Sequence, residues 1–293
     1  MSSHNPEQTP QRHLPGHIAA ALARAGEPSD SAGQSWEGRD LSGEGNPLHN
    51  FDQDDGLANP DVVAAIQALR AGTGDEAGVH AALANARVFV AVVAQLGEEA
   101  MTEHGFASDK EADMALVKIK APDGRMALPI FTTVDDLQAW HPQARPVAVY
   151  APRAALSAVS EEAQLLVMNP GSEFTFVLRR PGVWTLAKQV PWVPSYRDES
   201  LAEVIGQVVA EHQTIDSVRL GPGRGVASRD RDGAVVGGGG VGPELNVQLV
   251  FRHGTPKELA EATARQIHTE LAQDVHFAEA VDSMELSLMS TAH

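Results

Sequence analysis

The stretch Lys110–Trp140, KEADMALVKIKAPDGRMALPIFTTVDDLQAW, decides how the chain is organised. Its pattern predicts two strands joined by a tight turn and followed by a helix. Within Ala121–Gly124, Pro fixes the backbone φ angle and Gly accepts a positive φ, as turns require. We therefore expect Met114–Lys120 and Met126–Phe131 to pair as an antiparallel hairpin.

The returning strand and the helix carry three further signals. Pro129 cannot donate a backbone hydrogen bond, which predicts that its strand lies near a sheet edge or that Pro129 occupies a non-bonded position. Thr133 with Asp136 three residues later predicts the N-terminal cap of the helix. Pro142 disfavours the α conformation at His141, so the helix should end there.

The chain before this stretch divides into a tail and the start of a folded domain. Residues 1–56 are rich in Gly, Pro, Ser, Asn, Gln and acidic residues, and we interpret them as a disordered acidic tail. Asn59-Pro60 predicts the cap and first position of a helix. A short helix over Glu76–Ala86 and a strand over Arg87–Ala94, buried on both faces, should follow.

The chain after this stretch predicts more alternating strands and helices, and then a second domain. The apolar pattern predicts strands over Val147–Tyr150, Gln164–Met168 and Phe174–Leu178, a helix over Pro152–Val159, and a helix that starts at Pro181. The two prolines of Val190–Asp198 are typical of a linker. We therefore predict one α+β domain over residues 57–195 and another over 196–293.

The second domain is predicted to contain helices over an antiparallel sheet. Asp198 should cap a helix, Glu244–Arg252 alternates as a strand, and Met284 should begin a last strand. Thr255–Glu258 reads as a capping box for a helix that buries Leu259, Ile267 and Leu271. The fold class is α+β, with two α/β-sandwich-like domains and mixed or antiparallel sheets.

Composition limits the classes of partner and the compartment. The chain has 293 residues, a formal net charge of −17 and no cysteine. Such acidity repels nucleic acid and anionic membranes, so we expect neither as a partner. The lack of cysteine removes disulfides and thiolate chemistry and fits a reducing compartment. No signal-peptide or membrane-spanning pattern is evident, so we expect a cytoplasmic protein.

The motifs that invite a chemical interpretation each have a structural alternative. The glycine runs Gly221–Gly225 and Gly237–Gly240 lead towards a strand, whereas phosphate loops lead into a helix, so we interpret the Gly221–Gly242 region as a flexible hairpin that is mostly loop. The histidines show no metal-ligand spacing. The carboxylate pairs Asp135/Asp136 and Glu161/Glu162 are interpreted as acids at helix starts. We expect no catalytic residues, no cofactor and no metal.

Four residues in or near the central stretch are candidates for a functional surface: Arg125, Phe131, Trp140 and Trp184. Arg125, and likewise Arg179 and Arg180, could bind a carboxylate or a phosphate through two donors, although solvated arginines are more common. Tryptophan on an amphipathic helix usually packs in a core, whereas an exposed tryptophan marks an interface. We therefore predict a possible interaction surface beside the hairpin.

The motifs of the central stretch resemble those of the SseB family of bacterial proteins, named for enhanced serine sensitivity. The resemblance runs from Phe51 to the end and is strongest over Asp109–Val149, where APDGRMALPIFT is followed by LQAWHPQARPV. It is nearest to the actinobacterial branch. It implies an N-terminal α+β domain, often with a C-terminal one, and no catalytic residues that can be carried over.

Two functions fit these observations. The first is a non-catalytic interaction or regulatory module that binds an unidentified protein or forms a homo-oligomer. The second is a binder of a small metabolite related to amino acids, or an enzyme whose site is not visible in the sequence. A concave polar pocket beside the hairpin would favour the second function, whereas a flat apolar patch would favour the first.

Overall fold

The computed structural model describes residues 51, 53–96 and 112–291. The predicted tail 1–56 falls almost wholly outside these residues. Residues 55–293 form one compact unit, and the predicted domain boundary at residue 196 stays a prediction. Within the described residues, no helix is both long and apolar enough to span a membrane.

The elements of the first half alternate between helices and strands. In chain order they are α1 Pro60–Arg70, α2 Glu76–Leu83, β1 Arg87–Leu96, β2 Ala112–Leu116, β3 Ile119–Lys120, β4 Met126–Phe131, α3 Val134–Trp140, β5 Arg145–Tyr150, α4 Ala151–Ser160, β6 Leu165–Met168, β7 Phe176–Leu178 and α5 Arg180–Lys188. These bounds confirm the α+β class and most of the predicted elements.

The second half adds three helices and five strands among the described residues. After a short 3₁₀ turn at Ser195–Arg197 they are α6 Glu199–Ala210, β8 Ile215–Pro222, β9 Ala227–Arg229, β10 Val235–Gly239, β11 Leu245–Phe251, α7 Lys257–Gln273, α8 Val275–Ala280 and β12 Met284–Ser290.

Seven strands form one mixed sheet, with the order β2-β1-β4-β6-β7 and with β5 on β1 and β3 on β4. The predicted hairpin is only partly correct. The turn is present, because the Gly124 N–H donates to the Ala121 carbonyl oxygen over 2.9 Å. However, β2 pairs with β1 and only Ile119-Lys120 pairs with β4. The chain changes partner strand at Val117-Lys118, so the predicted single strand is two strands.

Pro129 lies in the middle of the sheet, which corrects one of its two predicted placements. Strand β4 pairs with β6 on one side and with β3 and β1 on the other. On this second side, β3 pairs with β4 up to Ala127 and β1 pairs from Ile130 onward. Pro129 falls in the gap between these two ladders, so its missing N–H breaks no ladder there.

The two faces of this sheet are covered by different helices. Helices α1, α2, α4 and α5 share one core with the sheet, into which Leu128 and Ile130 project from β4. Helix α3 covers the opposite face, where Leu137 packs with Phe89 and Phe131. Strand β1 is therefore buried on both faces, as predicted from its continuous apolar run.

Local capping signals were read correctly at three helices. The side chain of Asn59 accepts hydrogen bonds at the start of α1, and Asp198 does so at α6. Thr133 accepts from the Asp136 N–H at α3. The prediction for Glu161/Glu162 was wrong, because these acids follow the end of α4 instead of starting a helix.

The smaller sheet has the order β12-β11-β8. It is mixed, not antiparallel as predicted, because β12 runs parallel to β11. Helices α7 and α8 together connect these two parallel strands, and α8 was not predicted. The capping box predicted at Thr255–Glu258 is absent, since the side chain of Thr255 bonds to the Arg252 carbonyl oxygen instead. Leu259 is exposed, whereas Ile267 and Leu271 are buried as predicted.

The glycine-rich segment forms a hairpin, as predicted, but the hairpin consists of two paired strands packed against the larger sheet and is not mostly a flexible loop. Strands β9 and β10 pair antiparallel, and Val236 joins the core of the larger sheet. A Cβ atom on Gly240 would overlap the Gly225 carbonyl oxygen, and one on Gly225 would overlap Gly242. A Cβ on Gly239 would lie 2.7 Å from the Phe176 ring. The glycines are therefore required for close approach of the backbone.

This packing predicts that replacement of glycine by alanine will destabilise the protein at some of these positions and not at others. We expect Gly240→Ala to lower the free energy of unfolding by roughly 1–3 kcal/mol, because the backbone must move to relieve the overlap. Urea denaturation followed by circular dichroism measures the change. Gly237→Ala is the matched control, since its Cβ meets no atom within 4 Å. Equal stability of the two variants would contradict this account of the hairpin.

Candidate functional site

The four predicted surface residues do not lie together. Phe131 is completely buried and packs against Trp140, with ring centroids 5.3 Å apart, so both belong to the core under α3. Arg125 faces the smaller sheet. Trp184 lies on α5 and is 48% exposed, with the Lys188 ammonium 5.5 Å from its ring centroid.

Arg125 joins the turn of the larger sheet to the start of β12. Its Nη1 donates to both carboxylate oxygens of Asp282, over 2.8 and 2.7 Å, and its Nε donates to Asp123 over 2.7 Å. The Arg125 guanidinium lowers the pKa of the Asp123 carboxyl. The side chain of Asp282 is only 3% exposed, so this pair is held away from water and is stronger than a surface pair.

Arg180 makes a second link beside the first. Its Nη2 donates to the carbonyl oxygens of Ala278 and Val281, over 2.6 and 2.7 Å, at the end of α8. An open cavity of about 510 Å³ lies beside these links. Its lining residues are Asp123, Arg125, Gln164, Arg180, Asp282 and Ser283. The cavity therefore presents two cations and two carboxylates, and its formal charges balance.

A buried ion pair lies near these links. We use the word junction for the charged residues that join the larger sheet to the glycine hairpin and to the start of β12, which are Glu76, Asp123, Arg125, Arg179, Arg180, Glu244 and Asp282. Arg179 Nη1 donates to Glu76 Oε1 over 3.1 Å, and both side chains are at most 2% exposed. The Gly239 N–H also donates to Glu76, and Arg179 Nη2 donates to the Gly225 carbonyl oxygen. Glu76 Oε2 and Arg179 Nε have no hydrogen-bond partner among the described residues. The pair thus binds the glycine hairpin to α2 and is incompletely satisfied.

Glu244 connects the cavity with the buried pair. Its Oε1 accepts the backbone N–H of Asp282 over 2.7 Å, and its side chain also lies within the electrostatic reach of Arg179. Burial raises the pKa of the Glu244 carboxyl to about 7, because the ionised form loses its hydration. Charged groups therefore follow one another from the open cavity, through Asp282 and Glu244, towards Arg179.

Sequence reasoning missed these junction residues. Glu76 and Asp282 occupy ordinary positions at the start of a helix and before a strand, where exposed acids are common. Arg179 and Arg180 were considered only as possible anion-binding residues. Their partners come from segments far away in the chain, so no local pattern could have identified the cluster. His80 lies in the last turn of α2, where it is buried, and burial lowers its pKa.

A different surface is formed by the outer sides of α4 and α5. Both helices bury residues in the same core against one face of the larger sheet, and they pack against each other. Their exposed sides therefore point the same way, away from the sheet. Leu156 on α4 is 52% exposed and Trp184 on α5 is 48% exposed. Val190 and Val193 continue the exposed apolar residues after α5. We call the exposed sides of α4 and α5, with Leu156 and Trp184, the outer helix surface.

One region of the chain matches a known protein family. Residues 62–185 match the model of the SseB protein N-terminal domain. This region runs from α1 to α5 and includes the larger sheet, Arg125 and the outer helix surface up to Trp184. Comparison with curated proteins and with solved structures found no match. Among the described residues, no group of three or more metal-ligating side chains is present.

The buried acid makes the junction sensitive to pH. Because the folded-state pKa of Glu244 is raised from 4.5 to about 7, its contribution to stability is fully present below pH 4.5 and is lost as the pH rises through 7. We expect Glu244→Gln to remove this loss. The variant should match the wild type near pH 4.5 and exceed its free energy of unfolding above pH 7 by on the order of 3 kcal/mol.

Urea titrations at several pH values measure this difference. The exposed Glu211→Gln is the matched control, because it makes the same change outside the junction. A stability difference between the wild type and Glu244→Gln that stays constant from pH 4.5 to pH 8 would refute the assignment.

Proposed function

We propose that this chain, which belongs to the SseB family through its N-terminal domain, is a non-catalytic interaction or regulatory module that binds another protein. The observation that carries the proposal is the exposure of Trp184 on the outer helix surface. The proposal includes a cytoplasmic location, which the acidic, cysteine-free composition supports.

The partial exposure of Trp184 leaves apolar surface that a binding partner can bury. A large aromatic side chain gains most when it is fully removed from water, and tryptophan is enriched among residues that dominate binding energy. Trp184 leaves about half of its surface in water although it lies on a packed helix. Leu156 adds a second exposed apolar side chain on the neighbouring helix. A partner that covers both side chains would bury the apolar surface that the isolated chain leaves in water.

The charged groups of the junction are better suited to holding the structure together than to chemistry. A general acid must reach the group that it protonates. Glu244, whose pKa burial raises to about 7, is 2% exposed and already accepts the Asp282 N–H. Arg125 and Arg179 likewise direct their donors at carboxylates and carbonyls of the chain itself. These contacts support a fixed module whose recognition takes place elsewhere.

A second candidate function is the binding of a small metabolite in the open cavity beside Arg125. The volume of about 510 Å³ lies within the range of ligand sites, and charged side chains of both signs line the cavity. Gln164 and the remaining donors of Arg180 would contact the ligand. Arg125 already donates to Asp123 and Asp282, and the Nη2 of Arg180 donates to carbonyl oxygens at the end of α8. The balanced charges favour a molecule with both an anionic and a cationic group, such as an amino acid.

The interaction function predicts a partner whose capture depends on Trp184. We expect the tagged full-length chain to retain one defined protein from a lysate of its source cells after cross-linking. Trp184→Ala should reduce this retention at least tenfold, because loss of a central aromatic contact typically costs more than 1.4 kcal/mol. Quantitative mass spectrometry of the retained proteins makes the measurement.

The matched control is Leu259→Ala, which shortens a side chain of similar exposure on α7. It should retain the partner as the wild type does. Retention of the same protein by the wild type and Trp184→Ala would exclude this surface, and the absence of any specific protein would count against the function itself.

The metabolite function predicts thermal stabilisation by a ligand. A panel of amino acids and related charged metabolites should contain a compound that raises the melting temperature of the wild type, because a ligand that binds only the folded state stabilises it. Gln164→Ala should weaken the shift without disturbing the ion pairs of the cavity. A panel without any shift, or an equal shift in Gln164→Ala, would remove the support for this candidate.

A further inference from the structure

The exposed apolar residues on α4 and α5 are accompanied by basic residues. Arg153 lies three positions before Leu156, and Lys188 lies four positions after Trp184. These spacings place each cation on the same side of its helix as the neighbouring apolar residue. Both cations are exposed. Each helix thus presents one large apolar side chain and one cation to the solvent.

The sign of these charges is unusual in this chain. The protein carries a formal net charge of −17, yet neither APRAALSAVS of α4 nor RPGVWTLAK of α5 contains an acid. The acids Glu161 and Glu162 begin only after α4 ends, and Glu161 is paired with Lys118 over 2.8 Å. The outer sides of α4 and α5 are therefore basic and apolar within an otherwise acidic chain.

We propose that the outer helix surface, together with Arg153 and Lys188, binds an acidic protein segment that inserts apolar side chains beside Leu156 and Trp184. This inference rests on the proposed interaction function and specifies the chemistry of its partner. Complementary charge increases the association rate and excludes basic partners, while burial of the apolar side chains supplies most of the affinity.

The geometry fits a short helical or extended segment. Axes of packed helices lie about 8–10 Å apart, so one partner segment is wide enough to contact the outer sides of both α4 and α5. A helical segment bound in this way uses apolar anchors at spacings of three and four residues. Acidic residues that flank those anchors would then meet Arg153 on one side and Lys188 on the other.

A protein segment fits better than an anionic membrane or a second copy of the chain. Binding to an anionic lipid surface needs clusters of several cations, whereas this surface has two, and the remaining charge of the molecule is repelled. A second copy would bring another net charge of −17 into close proximity. An acidic segment is short, so it meets the local cations without this large opposing field.

The proposal is tested with the full-length chain and three labelled 20-residue probe peptides. The first alternates glutamate with leucine and tryptophan anchors at helical spacing. The second replaces each glutamate by lysine, and the third replaces each anchor by alanine. Fluorescence anisotropy measures the affinity. We expect only the first peptide to bind, with an affinity that falls as the salt concentration rises.

Two variants separate the contributions of charge and burial. Trp184→Ala should weaken binding of the first peptide at least tenfold, and Arg153→Glu/Lys188→Glu should do the same. The control Arg252→Glu/Lys257→Glu makes an equal change in net charge at exposed positions outside α4 and α5, and should bind like the wild type. Circular dichroism confirms that all variants are folded.

Several outcomes would overturn the proposal. They are failure of the acidic peptide to bind, equal binding of the lysine peptide, and equal weakening by both charge-reversal variants. Sedimentation with anionic vesicles, or self-association that Trp184→Ala abolishes, would assign the surface to a membrane or a second copy. If Trp184→Ala loses a cellular partner while the acidic peptide does not bind, the interaction function stands and this inference fails.

Discussion

The close approach of Gly225 to Gly242 is the constraint on which the joining of the two sheets depends. No side chain fits between these backbones, so only glycine allows the hairpin to fold back over the larger sheet. That placement puts the Gly225 carbonyl oxygen against Arg179 and the Gly239 N–H against Glu76. Without these backbone partners, the buried ion pair would lose part of what offsets its desolvation. Steric freedom at a few glycines therefore makes the burial of charge possible.

The resulting junction favours one arrangement of the hairpin, but its unsatisfied polar atoms reduce its contribution to stability. Burying an ion pair costs hydration, and the cost is recovered only if every polar atom finds a partner. Glu76 Oε2 and Arg179 Nε lack one among the described residues, and Glu244 adds a second buried carboxyl near the same arginine. Such a network favours one arrangement of the hairpin over others, because any shift would break several charged hydrogen bonds together. The network therefore fixes the position of the hairpin more than it stabilises the fold.

Local sequence signals predicted local structure, and they failed where the answer depended on distant segments. The caps at Asn59, Thr133 and Asp198 were identified because cap and helix are adjacent in the chain. The placement of Pro129 in a central strand depends on how β1 and β3 share one edge of β4, which the sequence pattern does not contain. The glycine-rich hairpin was taken to be flexible and mostly loop, because turn chemistry and close backbone packing use the same residue. Glu244 escaped notice since its burial depends on partners more than 30 residues away in the chain.

The contrast between the junction and the outer helix surface bears most directly on function. At the junction, charged groups are enclosed and turned towards one another, so binding a partner there would require existing ion pairs to open. On α4 and α5, Leu156 and Trp184 remain in water beside cations that no acid of those helices neutralises. A partner gains the burial of both apolar side chains and disturbs none of the contacts that hold the fold together. The proposed recognition at the outer helix surface therefore has the lower energetic cost, because it leaves the contacts of the junction intact.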